Sequence, residues 1–168
     1  MGFLLTLKGL CYGQELRLES AGARFGFYPF GAGSHFYQAE AFGNVNLPWN
    51  WNLGRQWSLQ SRLDSSAGWL GDKYANAFVG TVGPTLLFQR KNLPISFEGG
   101  LSPTILSRSD FPDKNFGQLV QFTSHAGLNF DLGTHFRLSY RFQHMSDAGL
   151  NSHNPGLNMQ VFGASYLF

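Results

Sequence analysis

Charged side chains are scarce in this chain: Asp, Glu, Lys and Arg make up 13% of its 168 residues, against about 25% in typical soluble domains. The net charge of +2 is small and dispersed, so a nucleic-acid partner is not expected. The single cysteine, Cys11, excludes an internal disulfide and tells nothing of the cellular compartment. No apolar run reaches the roughly 18 residues that a membrane-spanning helix needs, although a spanning β-barrel is not excluded.

Aromatic residues (16%) and glycines (21 in all) are abundant instead, and apolar and polar side chains alternate along most of the chain. A period of two residues is that of β-strands, and no segment competes with a helical period. Turn-forming residues separate eight such segments, with a bulge predicted near Ser20–Gly22 and loops predicted at PWNWNLG and SRSDFPDKNFG. The segments span about residues 15–28, 35–47, 57–69, 76–89, 94–106, 118–132, 136–146 and 157–168.

The two faces of these strands decide whether the barrel lies in water or in a membrane. The polar faces carry charges of both signs among many Ser, Thr and Gln, a set that can neutralise itself inside a narrow barrel. They include Arg62, Asp64, Glu98, Asp131, Arg137 and Arg141. The apolar faces are broad and end in aromatic residues, as in the stripe from Trp57 to Trp69, which matches the aromatic girdles of a membrane barrel.

We therefore predict an all-β fold: one eight-stranded antiparallel up-and-down transmembrane β-barrel over residues 14–168, in the bacterial outer membrane. A soluble lipid-binding barrel, with its apolar residues inside, is the alternative. Residues 1–13 (MGFLLTLKGLCYG) contain a short apolar stretch followed by small or uncharged residues, and they predict a residual signal segment. The alternative for this segment is an N-terminal lead into the first strand.

Two polar residues extend the apolar stripe of the seventh segment. The apolar side chains from Phe136 to Phe142 share one face, and the next residues on that face are His144 and Ser146. An imidazole and a hydroxyl two residues apart in a strand point the same way, close enough for the imidazole to accept the hydroxyl proton. With both chain ends in the periplasm, the seventh strand runs outward and the pair lies at the extracellular rim. Taken alone, such a pair more often marks only the point where a strand leaves the apolar zone.

The sequence around this pair resembles a known family. The string HMSDAG at His144–Gly149, followed by NPGLN and a last strand that ends in Phe168, resembles the PagL family of outer-membrane lipid A 3-O-deacylases. The resemblance is strongest from Pro94 to the end, where it includes FEGGL at Phe97–Leu101 and AGLNF at Ala126–Phe130. The first half of the chain is similar mainly in its strand pattern.

The resemblance implies a serine esterase that removes an ester-linked acyl chain, at the 3-O position, from lipid A of lipopolysaccharide. It makes His144 the general base and Ser146 the nucleophile. The family's orienting glutamate, fourteen residues after the histidine, is Asn158 in this chain. Asparagine can still orient an imidazole, but it cannot stabilise the imidazolium by charge, so a slower enzyme is expected.

The chain also differs from the family, as it does at Asn158, at the residue expected to help bind the oxyanion. The asparagine that usually follows the family's serine is Asp147 here, and Gly149 is available to supply a backbone amide. A carboxylate beside a developing oxyanion raises the barrier unless it turns away or is protonated. Asp147 could instead replace the acid missing at Asn158, although its strand parity is opposite to that of His144.

No metal and no cofactor are implied. The expected partners are lipid A as substrate and the lipids of the outer membrane, and a homodimer is one of the oligomeric states that the sequence leaves open. The rival function is a non-catalytic outer-membrane barrel with a structural or adhesive role, in which the rim motif survives as scaffold. Short outer loops argue against adhesion.

Overall fold

A computed structural model of the chain describes residues 16–29, 35–150 and 156–168, so the predicted signal segment, residues 1–13, lies outside the described residues. Within these residues the chain forms ten strands and no helix long and apolar enough to span a membrane. They are β1 Arg17–Phe27, β2 Tyr37–Leu53, β3 Trp57–Gly71, β4 Asn76–Arg90, β5 Ile95–Leu106, β6 Asp110–Phe111, β7 Lys114–Asn115, β8 Val120–Leu132, β9 Phe136–Ser146 and β10 Leu157–Leu167.

Eight of these strands close into a barrel in the order β1-β10-β9-β8-β5-β4-β3-β2, and each pairs antiparallel with both neighbours. The short strands β6 and β7 form a separate hairpin within the connection from β5 to β8. The predicted eight-stranded antiparallel up-and-down barrel is therefore confirmed. Its closure leaves no long strand edge unpaired, as the bilayer interior requires.

The apolar faces of the strands point outward. In β9, Phe136 and Phe142 are exposed, whereas their sequence neighbours Arg137 and Arg141 are buried. Trp69 on β3 is 62% exposed, although it is one of the largest apolar side chains. An aqueous barrel would bury such residues, because each costs about 1.5–3 kcal/mol to expose to water. The alternative of a soluble barrel with apolar contents is therefore wrong.

Arginines and carboxylates alternate in a continuous chain of ion pairs inside the barrel. Arg141 lies at its centre, where its guanidinium donates to Glu98 through Nε and to Asp64 Oδ2 through Nη2 at 2.8 Å. Arg24 also donates to Asp64, at 3.0 Å, and Arg62 to Glu98, at 2.8 Å. The chain continues through the pairs Arg24–Glu40, Arg62–Glu19, Arg137–Glu19 and Arg137–Asp131. Because each charge of this chain of ion pairs has a partner of opposite sign, the barrel can enclose them.

The interior changes character at one end, which the strand pattern did not predict. Phe36, Phe111 and Phe116 are buried there and pack edge to face, with ring centroids 5.2 to 5.8 Å apart. We call these three rings the aromatic plug. They pack with inward-facing apolar residues of the barrel strands: Leu70, Ala77, Val79, Leu106, Met145, Leu157, Met159 and Val161. The stretch SRSDFPDKNFG, predicted as a polar loop, contributes two of the rings because it folds into the β6–β7 hairpin.

The stretch PWNWNLG, predicted as a loop, is mostly strand. β2 runs on to Leu53, and its pairing with β3 shifts between Asn46 and Asn50. This irregularity accommodates Pro48, which has no N–H to donate to a strand ladder. Ser61 Oγ donates to Trp49 O at 2.6 Å and holds the irregular stretch to β3. In β1 the pairing shift lies between Leu18 and Ser20, slightly before the predicted bulge.

The connections at the two ends of the barrel differ in length. Short turns join β2 to β3, β4 to β5 and β8 to β9 at one end. The other end has the short connection from β3 to β4 together with the three longer connections, the β6–β7 hairpin and the aromatic plug. Outer-membrane barrels have their longer loops on the extracellular side. The strand β9 runs toward this end, so His144 and Ser146 lie near it.

Candidate active site

The candidate site is on the outer wall of the barrel, where β9 pairs with β10. His144 and Asn158 are direct partners in the register of these strands, and Ser146 is two residues further along β9. All three side chains lie on the outward face and are half-buried. Their neighbours Gln143 and Met145 are buried in the barrel, as the alternation of a strand requires. The structure thus brings together the three residues to which the sequence assigned catalytic roles.

A short hydrogen bond joins His144 to Asn158. The distance from Nδ1 to Oδ1 is 2.7 Å, so the amide oxygen accepts a proton carried by Nδ1. In that tautomer Nε2 is unprotonated and can accept a proton. Because Leu157 pairs with Met145, Gly156 is the next residue toward the level of Ser146. The imidazole edge is beside Gly156: a Cβ placed on that glycine would stand 3.7 Å from Nε2.

A tight turn follows β9. The N–H of Leu150 donates to the carbonyl oxygen of Asp147 at 3.2 Å, and both central residues have positive φ, 57° at Ala148 and 79° at Gly149. These signs of φ are those of a type I′ turn. The Asp147 side chain is fully buried, and its Oδ1 accepts the N–H of Gly149 at 2.9 Å. The two residues predicted for the oxyanion are therefore hydrogen-bonded to each other.

The residue that contacts Nδ1 of the imidazole is Asn158. Asp147 follows the inward-facing parity of Met145, whereas the bond to His144 Nδ1 comes from Asn158 on the outward face. The geometry therefore favours Asn158 over Asp147 as the group that orients the imidazole. The carboxylate of Asp147 is buried and accepts the N–H of Gly149.

Sequence reasoning missed two residues near the site: Gly156, which lies beside the imidazole, and Lys114, which bonds to Gly156. Lys114 begins the short strand β7, and its Nζ donates to Gly156 O at 2.5 Å. Partial burial lowers the pKa of the Lys114 amine from its usual value. The glycine of NPGLN was the one signal that could have pointed to this contact. Nothing in the sequence near Lys114 indicated that it reaches the site.

A third neighbour lies on the other side of His144. Ser124 of β8 is the partner of His144 in the β8–β9 register, and it is exposed on the same outward face. The next outward residue of β8 on the loop side is Phe122, which is the partner of Ser146. The imidazole therefore has a hydroxyl-bearing residue on each of two sides, and its bond to Asn158 ties it to β10.

The arrangement has the parts that acyl transfer needs: a hydroxyl, an imidazole with a fixed tautomer, and an amide that holds the ring. These parts lie on a wall whose other outward residues are mostly apolar, including Phe142 and Phe162. A substrate that reaches them must therefore have an apolar part that can contact these side chains. An amphipathic ester in the surrounding bilayer meets that condition.

Comparisons with known proteins point to one family. A family model described as lipid A 3-O-deacylase (PagL) matches residues 35–166. The chain is 30% identical over 148 residues to lipid A deacylase PagL of Bordetella bronchiseptica, covering 83% of this chain and 80% of that protein. Its fold is similar to the crystal structure of the outer membrane enzyme PagL, with a TM-score of 0.67, 16% identity, and coverage of 89% of this chain and 99% of that one.

Proposed function

The chain belongs to the PagL family of lipid A 3-O-deacylases, and we propose that it hydrolyses the ester at the 3-O position of lipid A by a serine esterase mechanism. It is an outer-membrane protein, so this substrate is presented by the leaflet around the barrel. The observation that carries the proposal is the 2.7 Å bond from His144 Nδ1 to Asn158 Oδ1 on the outward face. It leaves Nε2 free to act as a base beside Ser146.

In the proposed reaction, His144 Nε2 takes the proton of Ser146 as the serine Oγ attacks the ester carbonyl. The tetrahedral intermediate collapses, the bond to the sugar oxygen breaks, and His144 returns the proton to that oxygen. Water then attacks the acyl-enzyme with His144 again as base, and the ester bond to Ser146 breaks. The products are a free 3-hydroxy fatty acid and a lipid A with one acyl chain fewer.

We assign the oxyanion to the backbone N–H of Gly149. Its exposed position in the turn that directly follows Ser146 supports this role. To bind the ester oxygen, this N–H must exchange its bond with Asp147 Oδ1 for one to the substrate. Because the Asp147 carboxylate lies 2.9 Å from this N–H, the exchange also requires that carboxylate to move away from the developing charge.

The acyl profile of lipid A tests the function. Purified lipopolysaccharide is incubated with the barrel in detergent micelles and its lipid A is examined by mass spectrometry, with fragmentation to locate the lost chain. We expect loss of a single hydroxyacyl chain from the 3-O position and release of an equal amount of fatty acid. An unchanged profile would support the non-catalytic barrel instead, and loss from another position would correct the regiochemistry.

Replacing Asn158 with Asp is expected to raise kcat about tenfold, because a charge-assisted hydrogen bond exceeds a neutral one by about 1.4 kcal/mol. Aspartate has the same shape as asparagine, so the 2.7 Å contact with Nδ1 can be kept while a negative charge is added beside the imidazolium. The measurement is the initial rate of fatty-acid release at saturating lipid A. The control is Asn158→Ala, which removes the acceptor and should lower kcat. Equal rates in all three proteins would contradict the orienting role.

A further inference from the structure

The lack of a side chain at Gly156 leaves space for the imidazole that lies beside it. A Cβ on this residue would stand 2.9 Å from His144 Cε1, closer than real Cβ atoms come to their neighbours. Gly156 also has a φ of +55°, in the left-handed region that favours glycine. It is buried, and it immediately precedes β10, which carries Asn158. Position 156 therefore sets how far the ring of His144 can move on that side.

Lys114 holds Gly156 through a hydrogen bond to its carbonyl oxygen. Its Nζ donates to the carbonyl oxygen of Gly156 at 2.5 Å and stands 5.6 Å from the ring centroid of Tyr28. The lysine is fixed in turn by the hairpin, since its pairing partner in β6 is Phe111. Phe111 is a member of the aromatic plug, which is buried in the loop end of the barrel. A contact chain thus leads from the barrel interior through the hairpin to the residue beside His144.

We propose that Lys114 and Gly156 are positioning residues for His144: the hairpin holds Gly156 through Lys114, and Gly156 fixes the imidazole so that Nδ1 meets Asn158 while Nε2 faces Ser146. Neither residue touches the reacting atoms. The inference rests on the proposed role of His144 as general base. It adds that the β6–β7 hairpin, remote in sequence from the motif, determines how well that base works.

The glycine variants provide the first test. Gly156→Ala should lower kcat about 100-fold, because a displacement of about 1 Å at a catalytic group costs that much, while KM for lipid A stays within about twofold. Alanine at position 156 both strains the backbone and places a Cβ against the ring. Gly156→Asn separates these two causes, since asparagine tolerates positive φ but still places a Cβ against the ring. The matched control is Gly133→Ala, at a turn with φ +69° where a Cβ would meet no atom of the described residues within 4 Å. It should keep kcat within about twofold of wild type.

The lysine variants provide the second test, which also decides the matter if Gly156→Ala does not fold. Lys114→Met keeps the length of the side chain but removes the donor, and it should lower kcat about tenfold with KM little changed. Lys114→Arg restores a cationic donor and should recover most of the loss. A purely structural role for Lys114 would instead lower the thermal stability of both variants without a rescue of kcat.

A spectroscopic readout separates this inference from the proposed function. In barrels with ¹⁵N-labelled histidine in micelles, the Nδ1–H proton of His144 should give a downfield signal that Asn158→Ala removes. We expect Gly156→Ala and Lys114→Met to shift or broaden this signal and Gly133→Ala to leave it unchanged. If wild type does not deacylate lipid A, the proposed function fails, yet the signal still reports on the ring. If both variants keep the signal and kcat of wild type, the positioning role is overturned.

Discussion

Ser146→Ala is expected to lower lipid A deacylation by about 10⁴-fold or more, since loss of the nucleophile in serine hydrolases removes nearly all of the chemical step. Alanine has no oxygen to form an acyl-enzyme, and the other hydroxyl on the outward face of β9, that of Tyr140, is six residues away along the strand. The measurement is fatty-acid release and the lipid A mass profile with wild-type and variant barrels at equal concentration. Circular dichroism and thermal unfolding show whether both barrels are equally folded.

Two other serines make this experiment specific. Ser65 on β3 is an exposed, outward-facing serine whose cross-strand neighbours are Gly43 and Val82, so Ser65→Ala should behave as wild type. Ser124 is the sharper comparison, because it lies opposite His144 on β8. Should Ser124→Ala abolish the reaction while Ser146→Ala retains it, the nucleophile would have to be reassigned to β8.

Arg141→Met is expected to lower the free energy of unfolding by about 3–5 kcal/mol, the usual cost of removing one partner from a buried ion pair. Arg141 bonds both Glu98 and Asp64, and all three side chains are nearly inaccessible to solvent. The variant leaves two carboxylates with one arginine each, and methionine supplies no hydrogen bond in their place. Denaturant unfolding from micelles, followed by tryptophan fluorescence, gives the change in free energy.

The matched control for this prediction is Arg90→Met. Arg90 is exposed at the short-turn end of β4 and donates to Gln56 at 2.5 and 2.9 Å. Such a surface contact contributes about 0.5 kcal/mol, so the stability of this variant should be close to that of wild type. Equal stability of Arg141→Met and Arg90→Met would mean that the interior ion pairs contribute to the shape of the barrel and little to its net stability.

The directions of the site residues were predictable because parity in a strand fixes the face on which a side chain lies. The alternation from Phe136 to Phe142 placed His144 and Ser146 outward, and the structure has both on that face. The contact of His144 with Asn158 was harder to predict from the sequence. It depends on how the connection after β9 sets the register with β10, and only the fourteen-residue spacing of the resemblance pointed to it.

The sequence contains no comparable signal for contacts between loops. Lys114 and Gly156 are 42 residues apart and lie in connections without periodic pattern, so nothing in the sequence joins them. The aromatic plug was missed for the same reason, since Phe111 and Phe116 occur in a stretch whose other residues are mainly polar or turn-forming. At Pro48 the error was of another kind: proline usually ends a strand, but an irregular pairing allowed β2 to continue past it.

The filled interior has a consequence for the cell that carries this barrel. In the part of the chain that the structure describes, paired charges occupy the middle of the barrel and three phenyl rings close its loop end. We therefore expect water and small solutes to pass along the axis far less readily than through wide porins. Many copies could be inserted into the membrane without weakening its permeability barrier to antibiotics or bile salts.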